Sequence, residues 1–164
     1  MPTIATLTMN PALDVSTSID ALRPTHKLRC AAPRFDPGGG GINVAQLIHA
    51  LGGEVIAVFP SGGPTGATLE ALLRDRGPAI APIPIAGTTR ESLTVDERQT
   101  GLQYRFVLPG PELAASEQAR CSMRWRRWRG RRPISSPAAA CRRDAIPLSI
   151  MISPSDAAAR DRGW

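Results

Sequence analysis

Long apolar runs and a leader segment are both missing from this sequence. No stretch of about 18 consecutive apolar residues occurs, so we expect no membrane-spanning helix. The opening residues, MPTIATLTMNPALD, lack a basic region followed by a long apolar stretch, so we also expect no secretory signal. These two absences lead us to expect a cytoplasmic protein.

Cysteine is scarce, and its pattern excludes two further classes of protein. The three cysteines are Cys30, Cys121 and Cys141. Their spacing fits no zinc site, and an odd count does not indicate a disulfide framework. We expect three free thiols in a reducing compartment and no metal site.

Lysine is almost absent, and the positive charge is unevenly placed. The 164 residues carry a net charge of +6 and are 42% hydrophobic, which is ordinary for one globular domain. Residues 1–118 hold nine Lys and Arg against eleven Asp and Glu, a net charge of −2. Residues 119–164 hold eleven Arg, no Lys and three Asp, a net charge of +8. We therefore divide the chain near residue 118.

Apolar runs alternate with glycine loops and helical patterns along the first part of the chain. Buried strands are predicted over 4–8, 54–59 and 79–85, and helices over 42–51 and 67–76. Strand, glycine loop, helix and strand form the unit of a parallel α/β sheet. Four polar, alternating segments do not fit this order of elements. They suit a small separate sheet over one edge of the parallel sheet: 14–19, 26–32, 90–95 and 103–108.

Four consecutive glycines, at positions 38–41, open the first predicted helix. Glycine lets the backbone approach a ligand, and a helix N-terminus presents free N–H groups to an anion. The loop is neither a dinucleotide fingerprint nor a Walker loop, because no GK[ST] follows. Ligand contact and a tightly packed turn both remain open on this evidence.

Five spaced motifs occur in order within residues 1–118: N-P-A-L-D, K-L-R-C, P-G-G-G-G-I-N-V-A, G-P-T-G and Q-Y-R-F-V-L-P-G. This combination resembles the N-terminal half of PfkB-family carbohydrate kinases, in particular the 6-phosphofructokinase branch. The resemblance implies a ribokinase-like fold, which is an α/β/α core, here partial, with a small β-sheet lid. It implies ATP-dependent, Mg²⁺-assisted phosphorylation of fructose 6-phosphate in glycolysis, with fructose 1-phosphate and tagatose 6-phosphate as neighbouring substrates. It also implies a homodimer through the lid.

The resemblance also implies a set of substrate-binding residues: Asp14, Lys27, Gly39, Gly40, Asn43, Arg90 and Arg105. Asp14 would accept hydrogen bonds from sugar hydroxyls, as suits a carboxylate. The two arginines, with Lys27 beside them, would bind the sugar phosphate. The alternatives are a turn-capping role for Asp14 and solvated strand charges for the arginines.

The resemblance stops before the catalytic half of the family. Its G-A-G-D motif supplies a general base and backbone N–H groups for the transferring phosphate. This sequence has no such motif, and the glycines after Gly110 are Gly130 and Gly163. We therefore expect no catalytic residue and no turnover from this chain.

The Arg-rich segment 119–164 indicates a shifted reading frame. When Pro133 to Asp144, PISSPAAACRRD, is read from the third base of each codon, the genetic code permits D-I-I-A-S-G-S-L-P-P-G. Family members carry S-G-S-L-P-P-G at this point, so we place a frameshift between about Glu117 and Ser122. A pseudogene and a sequence error are both open as its origin. We expect the segment 119–164 to be disordered.

Two other functions remain as alternatives. The first is nucleic-acid binding through the Arg- and Trp-rich segment, although no RNA-recognition signature accompanies it. The second is a sugar-phosphate-binding module without catalysis, formed by the lid and the glycine loop.

Overall fold

The computed structural model describes residues 4–127, 133–135 and 149–152. Within these ranges the chain forms nine strands and three helices, in the order β1 Ile4–Leu7, β2 Ala12–Ile19, β3 Arg34–Gly38, α1 Gly40–Ala50, β4 Val55–Ser61, α2 Gly63–Arg76, β5 Ala79–Pro84, β6 Arg90–Glu97, β7 Gln103–Val107, α3 Ala115–Arg126, β8 Pro133–Ser135 and β9 Ser149–Ile152. No helix in these ranges is long and apolar enough to cross a bilayer.

The strands form two sheets. The core sheet has the order β5-β4-β1-β9-β8, in which β5, β4 and β1 are parallel, and β9 pairs antiparallel with both β1 and β8. The second sheet, which we call the lid sheet, has the order β3-β2-β6-β7. Its central strands β2 and β6 are parallel, and both outer pairs are antiparallel.

Helices cover both faces of the core sheet. Successive side chains of a strand point to opposite faces, so Val55 and Phe59 of β4 pack with α1 and α2 in one cluster, whereas Val58 packs with Cys121 of α3 in another. All four of these side chains are buried. The α/β/α core with a small separate sheet, expected from the sequence, is confirmed.

The two predicted helices are present, and their inward faces follow the apolar periodicity. Ile42 and Ala45 of α1 are buried, as are Leu69 and Leu73 of α2. The second helix begins at Gly63 rather than at 67, because a proline in the first turn does not interrupt helical hydrogen bonds. The segment 63–66 is thus the first turn of α2 and not a loop.

The strand predicted over 26–32 is wrong. This segment is an exposed loop, and the third strand of the lid sheet is instead β3, at 34–38. Thr25 has a φ of 63°, which turns the chain just after Pro24. The loop touches β2 through Ala31, whose N–H donates to Ser18 O at 2.9 Å and whose carbonyl accepts from Thr17 Oγ1 at 2.8 Å. A proline at 33 also removes a backbone donor where a longer strand would need one.

Helix α3 and two strands lie partly or wholly within the segment 119–164. The helix crosses the expected boundary at 118 without a break, and β8 and β9 extend the core sheet. The expectation of disorder is therefore wrong for these stretches. The rest of that segment lies outside the described residues, and the division of the chain near residue 118 stays a prediction.

Candidate functional site

One face of the lid sheet, which we call the polar face, carries Asp14, Asp36, Arg90 and Arg105. Asp14 in β2 lies directly across from Asp36 in β3. The strand registers of β6 and β7 bring Arg90 and Arg105 to the same face, because alternate residues of neighbouring strands share a side of the sheet. The sheet thus gathers two carboxylates and two guanidiniums from four strands.

Asp14 is half-buried at the centre of this group. Burial raises the pKa of Asp14 above its ordinary value, the guanidiniums of Arg90 and Arg105 oppose that rise, and the carboxylate of Asp36 adds to it. The carboxylate is therefore partly withdrawn from water yet faces two cations. Such a group is suited to accept hydrogen bonds from a ligand that carries both hydroxyls and negative charge.

The glycine loop closes directly against Asp14. A Cβ added to Gly38 would stand 2.3 Å from Asp14 Oδ2, so no side chain fits at this position while the carboxylate stays in place. Gly39 has a φ of +120° and a Cβ there would stand 2.6 Å from Thr8 Cγ2. The loop is held by close backbone approach on both sides, which explains why glycine is used here.

Helix α1 begins immediately after this turn. Its N-cap is Gly39, which has no side-chain cap, and the hydroxyl of Thr8 at the end of β1 accepts the N–H of Ile42 at 3.0 Å. Gly40 and Asn43 lie exposed in the first turn of the helix, next to the polar face. Gly41 and Ile42 of the same turn are buried, so one side of the helix start is open, and a helix start is a place where an anion is stabilised.

Arg90 reaches from the lid sheet to the neighbouring loops. Its Nη1 donates to the carbonyl of Leu108 at 3.2 Å, and its Nη2 lies 3.5 Å from the carbonyl of Asn10. Its Nε is buried and has no hydrogen-bond partner in the described part of the chain. An unpartnered buried donor on a guanidinium is costly unless an acceptor lies beside it.

The lid strands β2 and β6 begin shortly after the carboxyl ends of the parallel strands β1 and β5, at Ala12 and Arg90. A shallow apolar cleft lies there, between the lid sheet and the core, with Asn10 and Thr89 on its wall. Ligands of open α/β sheets bind outside the carboxyl ends of the strands. The polar face and the helix start therefore lie where this class of fold places its substrates.

The structure brings most of the predicted site residues together. Asp14, Arg90 and Arg105 share the polar face, and the predicted residues of the glycine loop and of the first turn of α1 lie beside them: Gly39, Gly40 and Asn43. Lys27 lies in the exposed loop between β2 and β3 and not on a lid strand, so its predicted placement is wrong. The binding roles themselves stay predictions.

Three contacts of the site were missed by the sequence interpretation. Asp36 faces Asp14, Thr8 supports the start of α1, and Arg76 binds Asp36 from the end of α2. A signal for Asp36 was present, since it lies two residues before Gly38 in an alternating segment. It was overlooked because the strand was placed over 26–32. The contacts of Thr8 and Arg76 depend on packing between elements distant in sequence, which no local pattern reports.

Residues 6–125 match the family model described as pfkB family carbohydrate kinase. The chain belongs to the pfkB family of carbohydrate kinases. It is 62% identical over 120 residues to ATP-dependent 6-phosphofructokinase isozyme 2 of Mycobacterium tuberculosis, a match that covers 73% of this chain and 35% of the relative.

Solved structures of a phosphofructokinase have the same fold over the matched part of the chain. Phosphofructokinase-2 from Escherichia coli in complex with fructose 6-phosphate superimposes with a TM-score of 0.72 at 45% identity, over 76% of this chain and 41% of that one. The tetrameric inhibited form of the same enzyme gives a TM-score of 0.71 at 45% identity, again over 76% and 41%. The family predicted from the motifs is confirmed. The chain spans about two fifths or less of the length of these relatives.

Proposed function

We propose that residues 4–127 form the sugar-phosphate-binding part of a pfkB-type 6-phosphofructokinase. The reaction of the whole enzyme would be transfer of the ATP γ-phosphoryl group to fructose 6-phosphate, a step of glycolysis in the cytoplasm. The observation that supports this proposal best is the placement of Asp14 on the same face as Arg90 and Arg105, against the glycine turn that opens α1.

The chemistry of the polar face fits such a substrate. The carboxylate of Asp14 would accept hydrogen bonds from sugar hydroxyls, and the guanidiniums of Arg90 and Arg105 would bind phosphate oxygens. The exposed first turn of α1, with Gly40 and Asn43, would contact the sugar from the core side. The ammonium group of Lys27, in the loop that follows β2, would be a further cation for the sugar phosphate.

ATP and Mg²⁺ are the cofactors that we propose for the whole enzyme. No cluster of three His, Cys, Asp or Glu side chains that could hold a metal ion occurs in these ranges. The sequence also has no G-A-G-D motif. We therefore propose that this chain binds the sugar phosphate without phosphorylating it, and we assign no residue to the transfer step.

Isothermal titration calorimetry with fructose 6-phosphate tests the binding proposal. Saturable binding is expected for the 164-residue chain. Asp14→Asn would weaken the affinity by roughly 10- to 100-fold, since hydrogen bonds to a charged group contribute about 1.5–3 kcal/mol. Asp20→Asn is the matched control, because Asp20 lies just beyond the far end of β2, where it is exposed and pairs with Arg98. Absence of binding by the unmodified chain would refute the proposal.

An ADP-release assay with MgATP and fructose 6-phosphate tests the second half of the proposal. We expect no turnover, because the general base of the family lies in a motif that this sequence does not contain. Turnover that is lost in Asp14→Asn would show that residues outside the described ranges supply the catalytic groups.

The lid sheet also supports a proposal for self-association. A row of apolar side chains crosses the face opposite Asp14: Phe35 in β3, Val15 in β2, Leu93 in β6 and Phe106 in β7. Three of them are exposed, with 43% of Phe35, 37% of Leu93 and 51% of Phe106 accessible. We propose that two copies pack lid against lid through this row, because contiguous exposed apolar side chains mark interaction surfaces.

Sedimentation equilibrium tests the lid-to-lid dimer. The unmodified chain is expected to sediment as a dimer and Phe106→Arg as a monomer, since an unpaired charge is costly at an apolar interface. Leu51→Arg is the control and should leave the dimer intact, because Leu51 caps the C-terminus of α1 and 78% of it is accessible. A monomeric unmodified chain would refute the proposal.

Nucleic-acid binding is the other function considered. It rests on the eleven arginines of the segment 119–164, seven of which lie outside the described residues. A titration with random double-stranded DNA at two salt concentrations distinguishes it from sugar-phosphate binding, because phosphate contacts weaken steeply with salt.

A further inference from the structure

One side chain at the end of α2 joins three separate elements. Arg76 is the last residue of this helix. Its Nη2 forms an ion pair with Oδ1 of Asp36 in β3, and its Nη1 donates to Gln46 Oε1 in α1 at 2.8 Å. The lid sheet is thereby tied to both helices on one face of the core.

The same contacts hold the backbone that leads into the glycine turn. The amide of Gln46 lies 3.5 Å from the carbonyl of Pro37, which it faces as a donor. Arg76 therefore binds Asp36 directly, and it is linked to Pro37 through the side chain of Gln46. The next residue is Gly38, whose backbone packs against the carboxylate of Asp14. Asp36 and Pro37 are thus held in place immediately before the glycine turn, which would contact the substrate.

The charge of Asp36 has to be balanced where it stands. It lies across from Asp14 on the polar face, and like charges that face each other across strands destabilise a sheet. Arg76 and Arg34 both bind Asp36, and their hydrogen bonds lower the pKa of that carboxyl. Arg34 is itself largely exposed and bonds Asp36 within the same strand. Arg76, by contrast, belongs to α2 and binds Asp36 from outside β3.

We propose that Arg76 is a positioning residue of the substrate site, which with Gln46 fixes β3 so that the glycine turn stays seated against Asp14. This inference rests on the proposed function, because its effect is on sugar-phosphate affinity. Arg76 lies in α2 and not in the lid sheet, and it is not proposed to touch the substrate. It acts through Asp36 and Pro37.

A role limited to folding stability would look different. The side chains of Arg76 and Asp36 are 38% and 27% accessible, and ion pairs this exposed contribute little to stability. Replacing Arg76 should therefore leave the thermal midpoint close to that of the unmodified chain. Displacement of the glycine turn should instead weaken substrate binding. A misplaced binding group lowers affinity much more than a lost surface ion pair lowers stability.

Calorimetric titration of fructose 6-phosphate into the full 164-residue chain and its variants tests the proposal, with thermal unfolding measured alongside. Arg76→Ala should weaken binding by about tenfold or more, the size expected from misplacement of a binding group. Arg74→Ala is the matched control, because Arg74 lies in the same helical turn and pairs with Glu70 of its own helix at 2.7 Å. It should bind as the unmodified chain does.

A conservative variant and a double variant separate positioning from general destabilisation. Arg76→Lys keeps one contact and should recover part of the affinity, whereas Gln46→Ala should weaken binding in the unmodified background and have no further effect in Arg76→Ala. The amide signals of Gly38 and Gly39 in a ¹H–¹⁵N spectrum should shift in Arg76→Ala without ligand, and stay in place in Arg74→Ala.

Three outcomes would overturn the inference, and they differ in what else they refute. If the unmodified chain binds and Arg76→Ala binds equally well, Arg76 has no positioning role and the proposed function stands. If the unmodified chain does not bind fructose 6-phosphate, both the proposed function and this inference are refuted. Equal losses of affinity and thermal stability in Arg76→Ala and Arg74→Ala would also refute a specific role for Arg76.

Discussion

The backbone of Gly38 and the carboxylate of Asp14 are in such close contact that a Cβ on Gly38 would stand 2.3 Å from Oδ2, 2.5 Å from Cγ and 2.7 Å from Oδ1. All three contacts are shorter than any ordinary packing distance. The position of the carboxylate and the identity of the residue at 38 therefore depend on each other, and a change in one must displace the other.

Gly38→Ala should consequently impair binding more than folding. Gly38 does not have a positive φ, so alanine fits the backbone and the clash falls on Asp14. We expect the affinity for fructose 6-phosphate, measured by calorimetry, to fall by roughly 10- to 100-fold, as for other displaced binding groups. Gly101→Ala is the opposite control. Gly101 has a φ of 69° with nothing near its Cβ position, so this variant should lose stability and keep its affinity.

Binding should depend on pH through Asp14. Burial raises the pKa of this carboxyl, and only the ionised form accepts hydrogen bonds at both oxygens. Affinity should therefore be full above the raised pKa and decline as the pH falls through it, at a higher pH than for an ordinary aspartate. Calorimetric titrations across acidic pH would measure the midpoint. A profile that is identical in Asp14→Asn would show that another group is responsible.

Glu117 should make the stability of the fold depend on pH. Its carboxylate accepts the N–H of Ala86 at 2.7 Å and that of Ala114 at 2.8 Å, so it joins α3 to the loop after β5. Both hydrogen bonds lower the pKa of Glu117 below its ordinary value, and the bond from Ala86 has the larger effect. A lowered pKa in the folded state means that the stabilisation is complete above the unfolded-state value and disappears as the pH falls through the folded-state value.

Glu117→Gln should thus lower the thermal midpoint at neutral pH, because an amide cannot accept at both positions. The difference from the unmodified chain should narrow as the pH falls below the ordinary glutamate range. Glu112→Gln, at an exposed position in the same segment, should have no effect. Thermal unfolding at several pH values measures both, and a pH-independent difference would contradict the assignment.

The pairing of β1 with β9 should protect the edge of the core sheet. Four residue pairs join them, from Ile4 with Ile152 to Leu7 with Ser149. Ending the chain after residue 144 removes β9 and leaves the edge of β1 open, which favours association between chains. We expect faster hydrogen exchange of the β1 amides and concentration-dependent light scattering. A chain that ends after Ile152 retains the strand and should behave as the full chain does.

The parts of the fold that were predictable are those with local periodic signals. The inward faces of α1 and α2, marked by Ile42, Ala45, Leu69 and Leu73, follow directly from helical spacing. The glycine loop and the polar strands were also placed well enough to gather Asp14 and Arg105 on one sheet.

The errors have physical reasons. The segment 26–32 alternates like a strand, yet the turn at Thr25 and the proline at 33 keep it out of the sheet. Helix α3 was missed because its apolar contact with the core is concentrated at Cys121, which the pattern of the surrounding arginines conceals. The links from Arg76 to Asp36 and Gln46 depend on three elements that meet only after folding.

The antiparallel strand beside β1 also has a consequence for synthesis of the chain. The pair of Ile4 and Ile152 joins the first described strand to the last one, so it cannot form until almost all of the described residues have been translated. At about 5–20 residues per second, β1 would wait on the order of 10–30 s with one side unpaired. During that interval the chain itself has no strand to pair with that side of β1, so the growing chain is at its most prone to aggregation on the ribosome.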